Sequence, residues 1–174
     1  MKNKSIYLMI ILGIIIFIGV YSLIISRGRR MPSLELQISL QKSTYRLGST
    51  IPVSVSLKNT GDINLLINSR MAVNFLGAPE SLRDITFNIT DPVGKTVPFT
   101  ARVNTRSLTA KDIAILSPGE LINKLYNLDE LYDISSIGSY EISVTYQNTT
   151  TIDDYETVWK GEITSNTLTI EIIP

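Results

Sequence analysis

The sequence predicts an all-β fold, an antiparallel β-sandwich preceded by one N-terminal transmembrane α-helix, and three observations carry that prediction. Beyond Leu34 the apolar residues recur at every second position within short runs, which is the signature of strands with one buried face. Turns rich in Gly, Pro, Asn and Asp interrupt those runs about every 8 to 12 residues, and no helical pattern of about ten residues or more follows. Ahead of them stands IYLMIILGIIIFIGVYSLII, Ile6 to Ile25, without a single charge. At about 1.5 Å per residue that run spans the roughly 30 Å hydrocarbon core of a bilayer.

Residues 1–5 form a short flank, 6–25 a transmembrane signal-anchor helix, 26–33 (SRGRRMPS) a charged linker and 34–174 the sandwich domain. A cleaved signal peptide is the competing reading. Its apolar region would run only about 7 to 15 residues, although Ser26 and Gly28 place small residues where a peptidase would cut. A helix apolar on every face needs a large protein around it to be buried as core, and this chain has 174 residues in all. Positive charge favours the cytoplasmic side, but Lys2 and Lys4 on one flank meet Arg27, Arg29 and Arg30 on the other. The long strand-rich domain breaks the tie, and the expected location is the cell membrane, single-pass, with the sandwich outside the cytoplasm.

LELQISL, starting at Leu34, sets Leu34, Leu36, Ile38 and Leu40 on one face against Glu35, Gln37 and Ser39. IPVSVSLK repeats the alternation with Ile51, Val53, Val55 and Leu57, and NTGD, Asn59 to Asp62, closes it with turn residues. INLLIN and MAVNFLG read as short strands, and DITFNIT alternates Ile85, Phe87 and Ile89. DPVGK, Asp91 to Lys95, is a turn with Pro after Asp and a Gly suited to positive φ. KDIAIL is a strand cut off by SPGE, Ser117 to Glu120. ELINKLYNLDELYDI is ambiguous: Leu121, Leu125 and Leu128 fit helical spacing, but Gly119 and Gly138 leave room only for a strand with a helical turn around Leu128 to Tyr132. SYEISVTYQ puts Tyr140, Ile142, Val144 and Tyr146 on one face, and NTLTIEII does the same with Leu168, Ile170 and Ile172. Some eight or nine strands of this length make a sandwich.

Gly138-Ser139-Tyr140-Glu141-Ile142 fits a tyrosine corner, in which the hydroxyl bonds backbone a few residues upstream and fixes the approach to the penultimate strand. The corner makes the sandwich immunoglobulin-like and assigns a structural role to Gly138, Tyr140 and Ile142. In antibody domains a disulfide Cys stands two places after that Tyr. Here the place is taken by Ile142, and the chain contains neither Cys nor His. Trp159 follows this strand instead of preceding it, so it is not the Trp of antibody domains.

Pro118-Gly119-Glu120, Tyr132-Asp133, Gly138-x-Tyr140 and Ser165-Asn166-Thr167, together with Asn59 to Asp62, occur in an order and spacing that resemble a known module. It is the β-sandwich that precedes the catalytic domain in deuterolysin-type and peptidyl-lysine metalloendopeptidases, and that also stands alone in other bacterial proteins. The resemblance covers most of the chain after the anchor. Those peptidases bind zinc through a His-Glu-x-x-His helix, which a chain without His cannot supply. The resemblance therefore implies the non-catalytic module alone, a pro-region or accessory binding domain, and no catalytic residue carries over.

No enzyme is expected. Nucleophilic triads need a base, normally His, and no Ser-Lys pair is expected to take its place. No Gly-rich phosphate loop joins a strand to a helix. No cofactor or metal site is expected either: the carboxylates of Asp129, Glu130 and Asp133, and those of Asp153, Asp154 and Glu156, lack EF-hand spacing and read as solvated loops. Asn88-Ile89-Thr90 and Asn148-Thr149-Thr150 match the glycosylation triplet and read as chance occurrences. Beyond Arg30 the chain carries 11 basic against 16 acidic residues, which argues against a nucleic-acid partner.

Binding is expected in loops. The stretch NTTTIDDYETVWKGEITS presents Tyr155 and Trp159, residue types enriched at interaction hot spots; the plainer reading packs Trp159 on the sandwich edge. The expected function is a non-enzymatic, membrane-anchored, extracytoplasmic protein-interaction or envelope-associated binding module with a protein partner. The alternative is a proteinase-inhibitor-like or pro-region module that docks on a peptidase.

Overall fold

The computed structural model describes residues 33–73, 84–102, 106, 108–149 and 158–174. The flank, the anchor helix and the linker up to residue 32 lie outside these residues, and among the described residues no helix is long and apolar enough to cross a membrane. Ten strands are described: β1 Leu34–Leu40, β2 Thr44–Arg46, β3 Pro52–Asn59, β4 Leu65–Asn68, β5 Ile85–Thr90, β6 Ile113–Leu116, β7 Leu121–Asn127, β8 Gly138–Asn148, β9 Gly161–Thr164 and β10 Leu168–Ile173. Helix is confined, among these residues, to a 3-10 turn at Ala110–Asp112 and to α1, Leu128–Leu131.

The strands form the two layers of a β-sandwich. One sheet runs β1-β3-β7 and the other β2-β10-β8-β5, with β9 pairing the far half of β8. A separate antiparallel ladder joins β4 to β6. β2 pairs β10 in parallel, while the other named ladders are antiparallel.

The alternation read from the sequence sets these layers. Val53, Val55 and Leu57 of β3 and Ile142, Val144 and Tyr146 of β8 are fully buried, and they join Ile170 and Ile172 of β10 in one cluster. Each such aliphatic side chain contributes about 1.5 to 3 kcal/mol on burial, more than the roughly 1 kcal/mol span of intrinsic strand preference. Burial pattern therefore decides the register. Aromatic rings close one end of the core: Phe87 meets Tyr126 and Tyr132 edge-on at 5.4 and 6.0 Å, and Phe99 meets Tyr132 at 5.2 Å.

Two local expectations come out differently. MAVNFLG does not open as a strand, because Met71 sits at φ 44° in the left-handed region and only Val73 makes a bridge, to Ile85; residues 74–77 lie outside the described residues. KDIAIL begins in the 3-10 turn, where the Asp112 carboxylate accepts from the Thr109 amide and hydroxyl and winds the chain before β6 starts. β7 and α1, by contrast, are the strand and helical turn expected of ELINKLYNLDELYDI, with pairing to β3 turning the buried face to Tyr126 and leaving Leu121 and Leu125 exposed. β2 and β9 have no counterpart in the sequence reading, since a three-residue strand with one buried residue, Tyr45, and a four-residue strand with none show no periodicity.

Candidate functional site

The residues singled out in the sequence fall into two places. Tyr140 is buried on β8, and its hydroxyl both donates to the Ser136 carbonyl and accepts from the Ser136 amide, each at 3.0 Å. One phenol thus satisfies both polar groups of a loop residue. Gly138 holds φ 126°, and a Cβ there would stand 2.9 Å from Pro92 Cγ, so the Asp91–Lys95 turn packs where only Gly fits. Ile142 is completely buried between Leu168 of β10 and Ile89 of β5. The contacts described for these three residues lie within the fold.

Trp159 lies two residues before β9, half-buried and stacked on Tyr146 at 5.8 Å. Its amide donates to the Leu66 carbonyl at 2.7 Å and its carbonyl accepts from Asn148 Nδ2 at 2.7 Å. Asn148, second of the glycosylation triplets, is thereby buried and engaged. Tyr155 and the Asp153, Asp154 and Glu156 cluster lie outside the described residues. In the other acidic cluster Asp129 accepts the Ile51 amide and Glu130 accepts from Asn127. No group of His, Cys, Asp or Glu suited to a metal occurs among the described residues.

The chain's Ser-x-x-Lys run, Ser39 to Lys42, offers no dyad. Ser39 is exposed at the end of β1, opposite Ser54, whereas the Lys42 ammonium lies 4.6 Å over the Tyr45 ring.

The densest polar cluster is also closed on itself. Asp84, 3% exposed, accepts from Arg70 Nε at 2.6 Å and Nη2 at 2.7 Å, from Asn68 Nδ2 at 2.8 Å and from the Ala72 amide at 2.9 Å. A buried carboxylate with four donors meets the pairing that burial demands and has no lone pair left for a ligand. Beside it Arg106 grips Asp112 through two bonds of 2.5 and 2.7 Å. That guanidinium, helped by the Thr109 donors, holds the Asp112 carboxyl well below the usual carboxylate range. Lys124 Nζ donates to the Arg70 carbonyl at 2.7 Å and, at 3.3 Å, to that of Met71; burial pushes its ammonium down. The cluster pins the left-handed residue Met71, whose carbonyl also accepts from Tyr126 Oη.

An open feature lies on the side of the sandwich between β1 and β9. There a groove of about 450 Å³ is lined by Leu34, Leu36 and Ile163 with Glu35, Gln37, Thr164, Ser165 and Asn166. Its volume falls within the roughly 300 to 1,000 Å³ of small ligand sites. Asn166 closes one end: its Oδ1 accepts the Ile38 amide at 2.9 Å and its Nδ2 donates to the Ile38 carbonyl at 3.2 Å. Because Ile38 turns both groups away from β3, the pleat turns those of Leu36 and Leu34 the same way, toward the groove. Ser165 fixes the opposite wall, accepting the Val144 amide at 2.9 Å on Oγ and donating its own amide to the Val144 carbonyl at 2.8 Å.

β1 and β9 approach to within 8 Å between Cα atoms, less than the roughly 10 Å that two strand spacings require. The groove thus admits side chains, not an inserted strand. Neither the groove nor the role of Asn166 within the Ser165-Asn166-Thr167 motif was legible in the sequence, because the bond joining Ile38 to Asn166 crosses 128 residues.

The geometry defines the class of protein as an immunoglobulin-like β-sandwich: three strands against five, with β2 and β10 joined in parallel along one margin. No family model matches the sequence, and no curated protein matches it. Among solved structures the chain is similar to the CARDB domain of the PF1109 protein from Pyrococcus furiosus in complex with di-metal ions, at 14% identity and a TM-score of 0.44, covering 83% of this chain and 96% of that one. The solution structure of the same domain is similar at 13% identity and a TM-score of 0.40, covering 83% and 98%. A β-glucosidase from Listeria innocua in complex with glucose is similar at 16% identity and a TM-score of 0.37, covering 84% of this chain and 17% of that one.

Proposed function

We propose that the chain is a non-enzymatic interaction module, held at the cell membrane by residues 6–25 with its sandwich outside the cytoplasm, and that a protein partner docks on the groove between β1 and β9. The observation that supports this reading is the juxtaposition of outward-turned backbone groups at Leu34 and Leu36 with an apolar wall at Ile163. Side chains of a partner satisfy both, a polar one bonding the backbone groups and an apolar one covering the Ile163 wall. The sequence supplies neither His nor Cys for general-base or thiolate chemistry. The second reading, a pro-region or inhibitor-like module, places a peptidase on the same surface and rests only on the resemblance of the sequence motifs to the peptidase-associated sandwich.

A photo-crosslinking residue at Gln37 or Thr164 of the full chain, in its host membrane, should give one discrete adduct that is missing when the probe sits at the exposed Val93. No adduct from either groove position would remove the groove from consideration, and a peptidase in the adduct would decide for the second reading. Resistance of the full chain to alkaline carbonate extraction tests the anchor. Digestion of the domain by protease added to intact cells tests its side of the membrane.

A further inference from the structure

β7 is an outer strand of its sheet, with β3 on one side and no strand among the described residues on the other. The ends of the β3–β7 ladder show which amides face that open side. Asn59 N–H donates to the Glu120 carbonyl and Leu128 N–H to the Ile51 carbonyl. Even-numbered residues of β7 therefore exchange bonds with β3, and Leu121, Asn123 and Leu125 turn N–H and C=O outward. The same three carry exposed side chains, Leu121 at 48% and Leu125 at 65%. Edges of this kind are ordinarily guarded by lysine or an inward charge. β7 has Lys124, but its ammonium is drawn back onto the Arg70 and Met71 carbonyls, so it does not stand across the edge.

We propose that this edge is a two-fold interface, at which β7 of one copy pairs antiparallel with β7 of a second copy around an axis through Asn123. The strand's own side chains select both occupant and register. With Asn123 on the axis, Leu121 lies opposite the partner's Leu125 and Leu125 opposite the partner's Leu121, so leucine covers leucine. The two Asn123 amides meet, and no charge opposes its like on that face. Moving the axis by one residue sets leucine opposite Asn or Gly and forfeits the match. The outward amides complete narrow hydrogen-bonded pairs, and the two three-stranded sheets become one of six strands. The contact closes at two copies because each uses the same patch. Five residues of edge pairing fall short of the roughly 1,200 Å² of a standard stable interface, so the dimer is weak and concentration-dependent.

The absence of Cys from the chain makes a cysteine test unambiguous. Across a narrow antiparallel pair Cα atoms stand about 5.5 Å apart, within the range a disulfide spans. Asn123→Cys in the full chain, under mild oxidation, should form a disulfide-linked dimer about tenfold or more faster than Leu121→Cys, whose two copies lie about 13 Å apart along the strands. A mixture of Leu121→Cys and Leu125→Cys chains should link as fast as Asn123→Cys. Equal rates at positions 123 and 121 would indicate random collision and overturn the register, and no linked dimer at any of the three positions would overturn the interface. Asn123→Lys, which sets two like charges on the axis, should shift the full chain to monomer in sedimentation with its urea midpoint unchanged. A dimer that survives this substitution would also overturn the proposal.

Discussion

Tyr140 and Tyr45 are both about 1% exposed, yet their hydroxyls stand in opposite circumstances. That of Tyr140 makes two bonds to Ser136, whereas that of Tyr45 makes none, the Lys42 backbone beside it falling outside hydrogen-bond geometry. Removing a paired hydroxyl leaves its partners unsatisfied, so Tyr140→Phe should cost about 1 to 3 kcal/mol in urea melts, and Tyr45→Phe should be neutral or stabilising. Ile142→Ala should cost about 2 to 5 kcal/mol from lost burial and the residual cavity, while the exposed neighbour Glu141→Ala stays within about 0.5 kcal/mol. Equal losses at 141 and 142 would contradict the half-buried strand. Gly138→Ala should destabilise as well, through its positive φ and the Pro92 contact. Tyr140 was legible because its partner lies four residues away in a recognisable motif. The role of Asn166 was not, because a side chain that bonds a distant backbone leaves no local pattern.

Among the elements, the alternating strands were the most legible and two short ones, β2 and β9, were not. β1, β3, β8 and β10 announce themselves by alternation; β2 is too short, and β6 shares its first predicted residues with a turn tightened by Asp112. The turns NTGD and SPGE were read separately, and the structure joins them. Asn59, fully buried, donates through Nδ2 to the Ile63 and Leu116 carbonyls at 2.7 and 2.8 Å and accepts the Gly61 amide at 2.9 Å. Its backbone bonds Glu120 and Gly119. No sequence rule pairs two turns 57 residues apart. Asn166→Ala should release the β1 edge without uncovering core, so amide exchange at Ile38 should accelerate more than that at Val55 of β3. Equal acceleration at both would show that Asn166 supports the whole sandwich instead of one edge.

For the whole molecule, acid and alkali act on different groups. Asp112 is held below its ordinary range in the folded state, so the stability it lends is present above about pH 4 and is lost as pH falls below that value. Asp112→Asn should flatten this acid limb of a urea-midpoint profile. On the alkaline side burial pushes the Tyr132 phenol up to about 12, and it raises Tyr126 and Tyr146 too. The unfolded chain ionises these groups near pH 10, so stability should fall as pH rises past about 10. Phenolate absorbance from the three should appear only together with unfolding. Architecture was legible at this scale because burial repeats along β1, β3, β8 and β10, but the groove was not, because it arises where two strand margins from opposite ends of the chain come together.

The parallel pairing of β2 with β10 has a mechanical consequence. Tension that reaches Thr44 from its N-terminal side and Ile173 from its C-terminal side pulls the two strands in opposite directions along their shared axis. The bonds from Glu171 to Ser43 and from Leu47 to Ile173, each 2.8 Å, are then strained in shear and at the same moment, where an antiparallel hairpin pulled at its open end would unzip one bond at a time. A domain pulled from both sides of this pair would resist along the seam until it gave way all at once.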